Sequence, residues 1–304
     1  MFEIFSTSIP FFIIIGIGAG VSPFIDKDKW IEVLNKYGLY IGFPAIIISS
    51  LIKLKDNFNF GFIVVIANLI ILLISIAIIL LITKLSKVDR DTRNAYIICG
   101  FFGNVAYLGF PFISSLFPNS DGLISVIIAV YIFIVFTVGV SILDISRNNK
   151  SINFLVLLQN LLKNPLLLSV FIGIAIVALG ITIPPVLQKP IEMLSASGSP
   201  IVLLSLGIFI SRKIQFNKNL LHATIISIYK LIALPIFFLL ILQFFQLSKN
   251  EVSISVIEAA MPLAITPFAL AEIYPLDKEI VAMSIIISTV LSLFSLALIT
   301  FLVQ

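Results

Sequence analysis

Gly103 to Phe117 reads GNVAYLGFPFISSLF, an apolar stretch holding the residues a continuous helix tolerates least. Pro111 has no N–H to donate, and Gly103, Asn104 and Gly109 loosen the same turns. Outward from it runs an apolar segment, Arg93 to Phe117, long enough to cross the ~30 Å hydrocarbon core of a bilayer. In lipid, a freed backbone group must find a protein partner or face a water-lined cavity, so a break at that depth predicts a site. A second such stretch, Ala259 to Tyr274 (AAMPLAITPFALAEIY), carries Pro262 and Pro267. Two interrupted segments in matching places of two halves point to the binding site of a secondary transporter.

Composition agrees with a chain that lives in lipid. Hydrophobic residues make up 60% and charged residues 11% of the 304 positions, with a mean hydropathy of +1.20. A soluble globular chain carries roughly 25% charged residues. The expectation is an all-α, polytopic integral membrane protein. The net charge of +4 falls in connections rather than in a basic stripe with interleaved aromatics, which excludes a nucleic-acid partner. Cys99 is the one cysteine, so neither an internal disulfide nor a thiolate metal cage is expected, and no metal or cofactor motif is present.

Ten apolar runs can be laid out: Ser8 to Ile25, Trp30 to Leu54, Phe60 to Leu85, Arg93 to Phe117, Asp121 to Ile145, Leu161 to Ile181, Val186 to Ile210, Leu220 to Leu247, Val252 to Tyr274 and Lys278 to Val303. The first carries Glu3 and no base ahead of it, and no small-x-small cleavage pattern after it, so it reads as a retained span. Orientation follows from the bases. Fourteen fall in alternate connections: Lys27, Lys29, Lys36, Lys84, Lys87, Arg90, Arg93, Arg147, Lys150, Lys163, Arg212, Lys213, Lys218 and Lys278. Four lie on the other side: Lys53, Lys55, Lys189 and Lys249. Both termini are therefore expected outside the cell membrane, with the connection between spans five and six in the cytoplasm.

Five spans followed by five place the second half upside down relative to the first. Matching offsets support that division: Pro44 and Pro200, Pro111 and Pro267, and Asp121 and Asp277 are each separated by 156 positions. The expected units are 1–148, a first five-helix repeat, and 149–304, its inverted partner, joined near Arg147 to Lys150.

Two ionisable residues lie well inside spans. Lys230 is about ten residues from the cytoplasmic end of span eight, roughly 15 Å deep, and Glu258 about six residues into span nine, roughly 9 Å deep. A charge at mid-bilayer costs several kcal/mol, so each should face protein or water. Either they form an ion pair that holds two helices together, or one of them binds substrate or titrates during transport. At the expected crossing, half-helix starts present free N–H groups and partial positive charge, which favours an anion. Asn104, Tyr107 and Thr266 add polar side chains beside Pro111, Pro262 and Pro267. No catalytic residue is expected. His222 is the only histidine and falls near a membrane interface, and no serine/histidine or paired-aspartate constellation supports an intramembrane enzyme.

With these residues laid out, the chain resembles the auxin efflux carrier family, which includes plant auxin exporters and microbial permeases associated with malate or malonate. The resemblance covers essentially all ten spans. It is carried most specifically by Asn104 to Pro111 (NVAYLGFP), Leu204 to Ile210 (LSLGIFI), Lys230 with Pro235, and Glu258 to Tyr274. It implies a fold similar to bile-acid symporters and sodium/proton antiporters, with spans four and nine broken and crossed at their prolines. It further implies a scaffold of spans one, two, six and seven, a moving part from spans three to five and eight to ten, elevator-type alternating access, and a homodimer. By the same resemblance, Asn104, Pro111, Pro262 and Pro267 mark the substrate crossing and Lys230 a charged support.

Two features depart from the plant carriers. The connection Ser146 to Asn160 is short, without room for a long phosphorylated loop, and Glu258 stands where those carriers have an amide. The expected function is a secondary transporter for a small organic anion, a carboxylate. The alternative is a sodium- or proton-coupled antiporter or symporter centred on Glu258.

Overall fold

A computed structural model of the chain describes residues 2–52, 62–148, 162–212 and 219–304. Lys53, Lys55, Lys150, Lys213, Lys218 and most of the expected join between halves lie outside the described residues. The helices, in chain order, are α1 (Phe2–Val21), α2 (Lys27–Ile52), α3 (Phe62–Leu85), α4a (Arg90–Phe101), α4b (Val105–Leu116), α5 (Asp121–Arg147), α6 (Pro165–Ala178), α7 (Pro185–Ile210), α8 (Asn219–Leu242), α9a (Lys249–Ala259), α9b (Thr266–Leu270) and α10 (Lys278–Val303). Apart from one antiparallel bridge, Gly103 with Leu263, the regular structure of the described residues is helical. Among them, α1, α2, α3, α5, α7, α8 and α10 are long and apolar enough to cross a membrane.

Helix starts carry the expected chemistry. Asp89, Asn164 and Asp277 each accept backbone N–H bonds at the beginnings of α4a, α6 and α10. Ser248 and Glu251 form a reciprocal capping box ahead of α9a. These caps fix where each helix begins after a connection, and so fix its register in the bundle.

Packing between helices relies on close backbone approach. The α1 helix lies along α7, α6 along α2, and α2 crosses α7. At that last crossing, a methyl group on Gly42 would stand 2.6 Å from the Gly198 Cα, so neither residue has room for a side chain. Gly207 likewise abuts the Ile15 carbonyl of α1, and Gly18 the Leu204 carbonyl of α7. In lipid, where apolar association between helices gains little from water exclusion, such small-residue contacts supply the packing. Gly42 and Gly198 are also 156 positions apart.

Three prolines share one device. Pro44, Pro111 and Pro235 each follow a widened turn, Gly38–Gly42, Val105–Gly109 and Tyr229–Ala233 respectively. In each, the residue before the proline donates its N–H five residues back: Phe43 to the Gly38 carbonyl, Phe110 to Val105 and Leu234 to Tyr229. A proline ring collides with the carbonyl four residues earlier in a regular helix. The wider turn moves that carbonyl aside and re-pairs the backbone.

The consequence overturns part of the sequence reading. Pro111 does not break span four, because it lies within the continuous helix α4b. The interruption falls at Phe102 to Asn104, several residues earlier. In span nine the interruption, Ala260 to Ile265, contains Pro262, while Pro267 occupies the first turn of α9b, where a missing N–H costs nothing.

Candidate functional site

The two interruptions meet. Asn104 donates its backbone N–H to the Pro262 carbonyl at 2.7 Å, and Ala264 donates to the Phe102 carbonyl at 3.2 Å, either side of the Gly103–Leu263 bridge. Leu263 donates its own N–H to the Ser288 hydroxyl of α10 at 3.1 Å. Each broken strand thus pairs backbone groups that the helices leave over, as burial demands.

This crossing forms the floor of a cavity of about 550 Å³. Phe101 to Tyr107 line it from span four, Ala264 to Thr266 and Phe268 from span nine, and Tyr131 and Val135 from α5. Its wall is mostly apolar, with Asn104, Tyr107, Tyr131 and Thr266 as the polar side chains near the floor. Few polar groups converging in an apolar concavity is the usual build of a small-molecule site. Charged residues sit towards the mouth: Asp28, Glu32, Lys36, Arg212 and Glu272.

Asn104 is buried, and its side-chain carbonyl Oδ1 has no hydrogen-bond partner. It also begins α4b, whose first N–H groups have no acceptor within the helix. Tyr107 is half-buried and meets the Phe43 ring edge-on, centroids 5.4 Å apart. The five-residue α9b is too short for a substantial dipole, so span nine contributes the Thr266 hydroxyl and carbonyls rather than the second positive helix end expected from sequence.

Lys230 and Glu258 are both completely buried, and neither lines the cavity. No salt bridge joins them among the described residues. Lys230 instead donates from Nζ to the Ala259 carbonyl at 2.5 Å, at the end of α9a. Its ammonium also lies against Gly103, where a methyl group would come within 3.0 Å of Nζ. The cation therefore stands at the C-terminal ends of α4a and α9a, where both helix dipoles are negative. Both Glu258 carboxylate oxygens are buried without a hydrogen-bond partner. A methyl on Gly109 would stand 2.7 Å from Oε2, and the Met261 chain is the next neighbour.

Pro111 faces away from this cavity. It lines a second one, of about 370 Å³, with Ser114, Ser115, Ser195, Ser199 and Pro200, between α4b and α7. Pro262 supplies the carbonyl at the crossing, while Pro267 is buried below Thr266. Two residues were missed from sequence. Tyr131 places a buried, unpartnered hydroxyl at the middle of α5, and Arg212 packs against the paired rings of Phe209 and Phe268, 5.0 and 4.9 Å from their centroids. Arg212 is also salt-bridged to Asp28. Sequence counted Arg212 only as a topology marker, since nothing there shows which rings its guanidinium meets.

Comparison with known proteins agrees with this architecture. Residues 4–300 match the family described as membrane transport protein. An uncharacterized transporter of Methanocaldococcus jannaschii is 26% identical over 282 residues, covering 90% of this chain and 89% of its own. The match spans both interrupted segments and the cavity between them, and the chain belongs to this auxin efflux carrier-like family of membrane transport proteins.

Proposed function

We propose that the protein is a secondary transporter that carries a small organic anion, a carboxylate, across the cell membrane. One observation carries this: two interrupted segments pair at the floor of a 550 Å³ cavity lined by the Asn104 side chain and the opening turn of α4b. The amide N–H groups and helix start favour negative charge. The Asn104 amide, Tyr107 and Thr266 hydroxyls orient a carboxylate, with Pro262 and Pro267 shaping the span-nine side and Pro111 the face of α4b turned to the second cavity. Lys230, packed behind Gly103, adds long-range positive charge without touching the ligand.

Ten crossings arranged as two inverted five-helix units, 1–148 and 149–304, fit the pairing of α1 with α7 and of α2 with α6 and the 156-residue offsets. In this reading α1, α2, α6 and α7 are the scaffold, packed through glycines, and α3 to α5 with α8 to α10 move as the carrying part. The 550 Å³ cavity then opens to the cytoplasm, because its mouth is built from connections rich in Lys and Arg. The 370 Å³ cavity lies on the outer side of the same interface. The family resemblance adds a homodimer formed through the scaffold.

The deciding experiment is uptake of radiolabelled acetate, malonate and malate into proteoliposomes holding the full chain. Saturable uptake whose apparent affinity Asn104→Ala weakens roughly tenfold supports the proposal, and equal uptake in protein-free vesicles for all three removes it.

A further inference from the structure

We infer that one proton travels with the anion, bound on Glu258 and reaching it through Tyr131; this rests on the transport reading above. The Glu258 carboxylate is wholly enclosed, and neither oxygen has a hydrogen-bond donor. An ionised carboxylate left so in a dry interior is among the costliest arrangements a fold can hold. The nearest cation, Lys230, acts on it only through space, because its ammonium is bonded to the Ala259 carbonyl and not to the carboxylate. A neutral acid fits the pocket where an anion does not.

The α8 helix brings Lys230 and, next to it, Tyr229, and α5 brings Tyr131. The α4b helix presents Gly109, with the Met261 chain of span nine the next neighbour, and neither is ionisable. A bound metal cation suits the place poorly, since hard cations take roughly six oxygen ligands, whereas Oε2 faces Gly109 and the Met261 chain.

Tyr131 supplies the route. It lines the cavity, its hydroxyl is buried without a partner, and it lies within the electrostatic reach of Glu258. The phenol and the carboxylate are not hydrogen-bonded to each other, so the transfer runs through one bridging water: Tyr131 passes its proton along it as it takes one from a hydronium ion in the cavity, leaving Tyr131 unchanged and one proton gained by Glu258. Protonation removes a negative charge behind the floor of the anion site. Proton and anion therefore strengthen each other's binding, each by the same factor.

The test uses the full chain in proteoliposomes, with whichever of acetate, malonate and malate the wild type moves and the membrane potential clamped. An imposed pH gradient, acid on the side of the anion, is expected to raise wild-type uptake roughly tenfold, within the usual range of coupling between sites. Glu258→Gln, which mimics the protonated acid, is expected to carry the anion downhill and ignore the gradient. Wild-type flux without a pH response, a response retained in Glu258→Gln, or a sodium gradient acting instead would each overturn the inference while leaving anion transport intact. No flux of any carboxylate removes both. Should Glu258→Gln fail to assemble, proton uptake by detergent-solubilised wild type on adding the anion decides: one proton per anion bound supports the inference, and none ends it.

Discussion

Gly109 and Glu258 touch so closely that even a methyl group on the glycine would stand 2.7 Å from the carboxylate Oε2. The contact joins α4b to α9a one turn beyond the crossing, so the two halves of the site are held in register by an absence of side chain. Gly109→Ala should cost about 1–3 kcal/mol of stability, the usual penalty for forcing a methyl into a packed interior. Thermal unfolding of the purified variant in detergent checks this. An unchanged midpoint would mean that Glu258 moves away freely.

Lys230→Met keeps the length of the side chain and removes its cation. The Ala259 carbonyl then loses its donor and the ends of α4a and α9a their compensating charge, at about 1–3 kcal/mol. Lower thermal stability with reduced anion affinity is expected. Lys230→Arg should not rescue it, because the ammonium already lies against Gly103 with no room for a guanidinium.

Asn104 distinguishes an anion site from a cation site. Asn104→Ala should weaken carboxylate binding roughly tenfold, the loss of about 1.4 kcal/mol expected for a hydrogen bond to a charged group. Asn104→Asp should weaken it further by placing like charge at the start of α4b. Uptake competition reads both, and tighter binding in the aspartate variant would refute an anionic ligand.

Arg212 ties the end of α7 and Asp28 of α2 to Phe268 of α9b, and Lys278 reaches the same ring, 4.8 Å from its centroid. If α9b travels past α7, this tie breaks once in every cycle. Arg212→Ala should therefore populate the opposite-facing state. A cysteine introduced at Ser199, in the second cavity, should then react faster with a membrane-impermeant thiol reagent. The native Cys99 is buried and gives little background. Equal labelling rates would show that the contact is not broken during transport.

Asp89 offers a test outside the membrane-spanning helices. The Thr92 hydroxyl and N–H hold its carboxyl below the ordinary value of 3.8. A depressed folded-state value means the stabilisation is fully present above the unfolded value and fades as pH falls through the folded one. Asp89→Ala should thus lower stability by about 1 kcal/mol at neutral pH, the usual worth of an N-terminal cap. The difference from wild type should shrink only below pH 3.8. A deficit that stayed constant into that range would point to packing rather than capping.

Much of the fold was legible because lipid makes backbone pairing compulsory. Gly103, Asn104 and Pro262 announced the two interruptions, and the apolar runs announced the helices between them. Pro111 misled, since a proline signals the loss of one hydrogen bond and cannot say whether the helix stops or widens to absorb it. The arrangement of Lys230 and Glu258, left open between an ion pair and a functional role, was not legible for a related reason. Depth along two helices puts the side chains at similar levels, but the carbonyl freed at Ala259 competes for the ammonium and exists only once α9a has ended. Tyr131 was illegible because a tyrosine in an apolar run carries no mark of what its hydroxyl meets.

The widened turns ahead of Pro44, Pro111 and Pro235 each spend one residue more than a regular turn, which rotates everything downstream by roughly 100° about the helix axis. Deleting a single residue within Val105–Gly109 would restore regular winding while swinging Ser114 and Ser115 off the second cavity. Insertions and deletions at these three places therefore re-aim whole faces, and in the first two they also shift a glycine contact, Gly42 with Gly198 or Gly109 with Glu258, so winding and packing there are tied to one another.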